Sequence, residues 1–245
     1  MDKLSDKLQA TTRDEVIKNI NENKKWLSSD AYLEISDYVN GALKKIEKEL
    51  NMLRLPKTTV PISYKVDLKT PSLHTGSRLY DGEVTIKIAV KEVTDRIMLH
   101  AKDQTITELL VLETDNITPV KLIEYTMYGP ADTLTIHLMN NIMPGSEYIL
   151  HIKFSTQLRT SGSGFYQTSY VMNGTTRYLG ATQFQATGAR FAYPCYDEPS
   201  FKATFEMTFK HDASFNAISN TEAVRKIKYV FNCIKILKLY FINNS

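Results

Sequence analysis

Leu179–Phe209 reads LGATQFQATGARFAYPCYDEPSFKATFEMTF, and the fold is read outward from it. Tyr178 to Gln185 has the composition of an extended segment, and Ala186–Ala189 is an Ala/Gly-rich turn. Arg190 to Pro199 is an aromatic, proline-bounded loop. From Lys202 to Lys210 the pattern alternates again, with Ala203, Phe205, Met207 and Phe209 on one face. Side chains alternate between faces along a strand, so this predicts strand, compact loop, strand.

The loop residues carry chemistry of two kinds. On an extended segment Gln183 and Gln185 share a side, two residues apart. A carboxamide oxygen accepts through two lone pairs, so two of them on one rigid face can hold an ammonium group. The same pair also fits two surface glutamines on an edge strand. Arg190 is placed to pair with Asp197 or Glu198 and tie the loop down. Cys195, between aromatic residues, reads as a small buried thiol and not a nucleophile.

The pattern Thr182-Gln183-Phe184-Gln185, Ala189-Arg190, Tyr193-Pro194-Cys195-Tyr196-Asp197-Glu198-Pro199 and Lys202-Ala203 resembles the aminopeptidase N family. These are zinc enzymes that remove one residue at a time from peptide N-termini. The resemblance runs from about Leu55 to Asn220. It implies that Gln185 contacts the free α-amine of a peptide, with Gln183 lining the site.

Strand signals recur upstream at regular spacing. Pro61–Leu68 alternates strictly, and Leu55-Pro56 with Pro61-Ile62-Ser63-Tyr64 resembles the opening of the family's N-terminal domain. Val84, Ile86, Ile88 and Val90 share a face; Ile97 and Leu99 mark the next strand, followed by Leu109–Leu112 and Leu122–Met127. Leu134, Ile136 and Leu138 share a face, Pro144-Gly145 is a turn, and Tyr148, Leu150, Ile152 and Phe154 alternate most clearly. Ser161–Gly164 is a flexible loop before Phe165-Tyr166. The fold class predicted is mainly β, an antiparallel sandwich or saddle preceded by a short helical hairpin.

Three regions follow: a helical segment and linker over 1–50, the β domain over 51–222 lacking its last strands, and an aberrant or unstructured tail over 223–245. In the first, Thr12 is an N-cap for a helix over 11–27, and a second helix follows Ser28 or Ser29 with Tyr32, Ile35, Tyr38 and Val39 as its stripe and Gly41 as its stop. Asp14–Leu43 resembles the closing helices of the family's helical C-terminal domain; an unrelated amphipathic hairpin is the other reading. Residues 226–245 are almost wholly Lys, Ile, Asn, Tyr, Phe and Leu, and Val224-Arg225 can be encoded by GTAAGA, a splice-donor sequence. Translated intron is the reading of this tail that a spliced message encoding Lys226–Ser245 would refute.

The family's zinc site needs His-Glu-x-x-His on a helix, two histidines four apart with a glutamate that activates water. The five histidines here are His74, His100, His137, His151 and His211; none precedes a glutamate and no two lie within five residues. The family's Gly-Ala-Met-Glu-Asn segment is also absent. The resemblance therefore implies the substrate-binding N-terminal domain of a zinc aminopeptidase. Zinc belongs to the complete enzyme and none is bound by this chain; it supplies no catalytic residue and no peptidase activity alone. The alternative is a non-catalytic β-sandwich module that binds peptides or proteins.

Partners follow the same line: peptide N-termini, and the catalytic and helical domains of the parent. A net charge of +3 gives no reason to expect nucleic acid. Two cysteines, Cys195 and Cys233, form no disulfide framework. The start has no apolar run of a signal peptide, and no stretch is long enough to span a membrane. Two glycosylation sequons, Asn116-Ile117-Thr118 and Asn173-Gly174-Thr175, fit the extracellular or cell-surface setting that the resemblance implies; Pro119 weakens the first.

Overall fold

Alternation in the sequence becomes a β domain in the computed structural model. It describes residues 15, 18, 19, 22, 31, 33–42, 54–70, 73, 77–223, 225–229 and 234–242, the last two segments as backbone. The chain divides into two units, Met1–Arg54 and Leu55–Ser245. In the first, residues 33–42 are helical, Gly41 included, and the end of this helix lies outside the described residues. Ile35 and Tyr38 of the expected apolar stripe are exposed. The stripe of the helix over 11–27, with Trp26, lies outside the described residues, as do His74 and Cys233.

The second unit holds β1 (Thr59–Lys69), β2 (Leu79–Val90), β3 (Thr94–His100), β4 (Thr105–Leu112), β5 (Leu122–Tyr128), β6 (Thr133–Ile142) and β7 (Glu147–Gln157). After these come β8 (Gly164–Met172), β9 (Thr175–Gln183), β10 (Thr204–Asp212), β11 (Arg225–Tyr229) and β12 (Ile234–Ile242). The large sheet has the order β11-β12-β10-β1-β2-β7-β4; β3-β6-β5 form a second sheet and β8-β9 a hairpin. Pairing is antiparallel except between β1 and β10, which run parallel from Ser63↔Thr204 to Lys69↔Lys210.

The core forms where the inner faces of the two larger sheets meet. Val84, Ile86, Ile88, Leu150, Ile152 and Phe154 from the large sheet and Ile97, Leu99, Leu134, Ile136 and Leu138 from the smaller one belong to one buried cluster. Each such side chain contributes about 1.5–3 kcal/mol on leaving water. Most alternate positions on β2 and β7 are polar, and Glu108 of β4 joins them: Lys153 meets Glu108 at 2.9 Å, and His151 lies beside Thr85 and Glu83. One dry face and one largely polar face explain the clean alternation of β2 and β7.

Residues 223–245, for which the sequence predicts an unstructured end, hold β11 and β12. β12 pairs along β10 from Thr204↔Ile242 to Asp212↔Ile234, so β10 is not the open edge that missing last strands would leave.

Candidate functional site

The hairpin β8-β9 sets up one wall. Its tip is Asn173-Gly174, with φ of 52° and 74°. Two successive positive-φ residues match the twist of a tight hairpin. At its base Gly164 pairs with Gln183. The strand ends there. Gln185–Gly188 is a turn, closed by the Gly188 N–H donating to the Phe184 carbonyl at 2.7 Å. The extended segment expected to reach Gln185 therefore stops two residues short, and the shared side of an i, i+2 pair does not apply. The turn places Gln185 next to the strand end instead.

Both glutamines are exposed, and neither carboxamide makes a hydrogen bond among the described residues. The backbone beneath them is anchored. Phe184, half-buried between them, meets Tyr193 edge-on with centroids 6.0 Å apart. A Cβ on Gly188 would lie 2.5 Å from the Gln183 carbonyl oxygen and 3.0 Å from Phe184 Cα. Only a bare backbone fits that approach. The Gln185–Ala186 peptide bond is cis.

The loop that follows is held from several sides. Ala189–Phe191 makes a single 3-10 turn, and Arg190 within it is buried. Its Nε and its backbone N–H both donate to Asp197 Oδ2, at 3.0 and 3.2 Å. Its Nη1 lies 3.6 Å from Asp132 Oδ2, and Lys102 Nζ sits 2.9 Å from the other oxygen of Asp132. The Arg190 carbonyl accepts from the Lys102 N–H and from Gln104 Nε2.

Glu198 does not pair with Arg190 as the sequence allowed; it accepts the Leu55 N–H at 2.7 Å. Cys195 exchanges backbone hydrogen bonds with His100. The Tyr64 hydroxyl accepts the Tyr196 N–H, the Tyr196 hydroxyl bonds Thr59, and the Tyr80 hydroxyl donates to the Ala192 carbonyl. Arg190, Tyr196, Asp197 and Glu198 of the motif are thus committed to holding the loop.

The electrostatics agree with a scaffold. Burial pushes the Cys195 thiol up, with the nearby Asp197 charge adding to it and Arg190 opposing. A protonated buried thiol is a poor nucleophile. Burial likewise raises Tyr64 and Tyr193, and raises Tyr196 against the hydrogen bond from Thr59.

Asp132 and the tyrosine hydroxyls escape sequence reasoning. Asp132 follows a Gly129–Ala131 turn, and its ion pair joins elements 58 positions apart in sequence. Asn116 and Asn173 both lie exposed in turns at positive φ. The Thr118 hydroxyl of the first sequon donates to Asp115 Oδ2 at 2.6 Å. Among the described residues no group of three or more His, Cys, Asp or Glu side chains is arranged to hold a metal ion, so they do not fit a zinc site. No helix among them is long and apolar enough to cross a membrane.

The family profile described as the Peptidase M1 N-terminal domain matches residues 60–232. The chain is 36% identical over 175 residues to an aminopeptidase A of Gloydius brevicauda, covering 71% of this chain and 18% of that protein. It is 35% identical over 186 residues to an aminopeptidase N of Canis lupus familiaris, again 71% and 18%. A glutamyl aminopeptidase of Bitis rhinoceros is 34% identical over 175 residues, with 71% and 18% covered. The chain spans about a fifth of the length of the curated relatives it matches.

Proposed function

The chain belongs to the Peptidase M1 N-terminal domain family, and from that premise we propose that it is the peptide-binding part of a zinc-dependent aminopeptidase. Gln185, helped by Gln183, accepts hydrogen bonds from the α-ammonium group of a peptide and so registers it from its N-terminus. The observation that carries this reading is the contrast within the motif. Arg190, Asp197, Glu198 and Cys195 are spent on the loop, whereas the two carboxamides stand exposed on a backbone fixed by Gly188 and Phe184. Acceptors held on a rigid frame bind an ammonium without first being ordered.

On its own the chain binds and does not cleave, because its sequence has no His-Glu-x-x-His. The reaction belongs to the longer parent enzyme, where zinc would polarise the scissile carbonyl, and no step is assigned here to a metal. The sequons at Asn116 and Asn173 support a parent that works outside the cell or on its surface.

Peptide binding to the full chain, compared for free and acetylated N-termini, tests this. A site that reads the amine prefers the free form, and loses that preference in Gln185→Leu. Equal binding of both forms would overturn the amine assignment and favour the non-catalytic β-sandwich module. Release of amino acids from a chromogenic aminoacyl substrate would overturn the claim of inactivity.

A further inference from the structure

A cleft of about 440 Å³ opens where the end of β7 meets the motif loop, lined in part by Arg78, Asp103, Thr105, Arg159, Thr160 and Phe191. Its central cation is already oriented. The Arg159 guanidinium carbon lies 3.6 Å from the centre of the Phe191 ring. Its Nε donates to Ser161 Oγ at 3.2 Å, and its Nη1 lies 3.5 Å from Asp103 Oδ2. Ring and hydroxyl fix the guanidinium plane, and Nη2 is uncommitted among the described residues.

The second cation, Arg78, is half-buried and has no carboxylate partner among the described residues. The cleft therefore carries two guanidinium groups against the one carboxylate of Asp103, with Thr105 and Thr160 also on its wall. A donor-rich concavity with surplus positive charge complements an oxyanion, and a planar guanidinium matches a carboxylate or phosphate edge.

We propose that this cleft binds a small oxyanion group, a carboxylate or a phosphate, through Arg159 and Arg78. Asp103 is its built-in competitor. It occupies Nη1 of Arg159 until the ligand displaces it, so its charge sets the affinity from below.

Calorimetric titration of the full chain with sodium phosphate and with sodium glutarate, against sodium chloride at equal ionic strength, tests the assignment. A dissociation constant of about 1 mM is expected for at least one of the two anions. Tighter binding of glutarate identifies a carboxylate-bearing ligand such as an acidic peptide, and tighter binding of phosphate a phosphorylated one. Arg78→Gln should weaken binding about tenfold. Asp103→Asn should tighten it, because the competing charge goes while an asparagine keeps the φ of 57° found there. Heat no greater than that with chloride, or two variants that bind like the parent, would overturn the proposal. The probes carry no amine, so the outcome is independent of Gln185.

Discussion

Arg190 Nε lies 3.0 Å from Asp197 Oδ2, and each side chain is only 10% exposed. A guanidinium this far from water needs its partner. Asp197→Ala leaves Asp132, at 3.6 Å, as the remaining carboxylate and should destabilise the β domain by about 3 kcal/mol. Asp197→Asn, which keeps an acceptor oxygen, should cost less. The double replacement Arg190→Met, Asp197→Leu should also cost less than Asp197→Ala alone. Urea unfolding followed by circular dichroism measures all of these.

Gln185 offers a neutral acceptor where a carboxylate would offer a charge. Gln185→Glu should therefore tighten binding of free-amine peptides several-fold, and the gain should shrink as salt is added. Acetylated peptides should show no gain. Affinity measured at two ionic strengths for each peptide decides it.

Gly188 has an ordinary φ of −89°, so space and not backbone conformation demands glycine here. An added methyl would meet main-chain atoms of Gln183, Phe184 and Gly164, none of which can rotate away. Gly188→Ala should cost about 1–3 kcal/mol and weaken peptide binding beyond the loss of stability. Binding measured well below the unfolding midpoint separates the two effects.

Alkaline pH should destabilise the domain. Burial raises the Cys195 thiol and the Tyr64, Tyr193, Tyr196 and Tyr80 hydroxyls in the folded state. Above about pH 8.5 for the thiol and about pH 10 for the phenols, the unfolded chain has lost protons that the folded one keeps. Stability is then full at neutral pH and falls as pH rises, each group adding at most about 1.4 kcal/mol per unit. Urea midpoints from pH 7 to 11 should show the decline. Phenolate absorbance should rise together with unfolding, and iodoacetamide should reach Cys195 only then.

The two sequons should differ in occupancy when the chain passes through a eukaryotic secretory pathway. Asn173 stands at the hairpin tip before Gly174, whereas Asn116 is followed by Thr118-Pro119. Glycopeptide mass spectrometry should find Asn173 modified more fully than Asn116.

β2 and β7 were the most legible strands because one face of each is dry and the other largely polar. Val84 to Val90 and Tyr148 to Phe154 advertise that in their alternation. Arg190 with Asp197 was legible because both lie on one short loop. What escaped depends on distance in sequence. Asp132 reaches Arg190 from another element, and the parallel docking of β10 on β1 leaves no local signal. Gln185 was misplaced for a different reason: the extended composition has no break before Ala186, while the Gly188 N–H donates to the Phe184 carbonyl and turns the chain at Gln185. The tail composition suggested translated intron, which says nothing of structure; β10 pairs with it along nine residue pairs.

The parallel register of Ser63 on Thr204 has a bearing on how the protein is made. β1 must wait for a partner synthesised some 140 residues later, and everything between has to be arranged around that gap. The loop that presents the glutamines lies just before the late ribbon. Premature termination between β2 and Thr204 would therefore release a nascent chain with the β10 side of β1 bare and open to wrong partners.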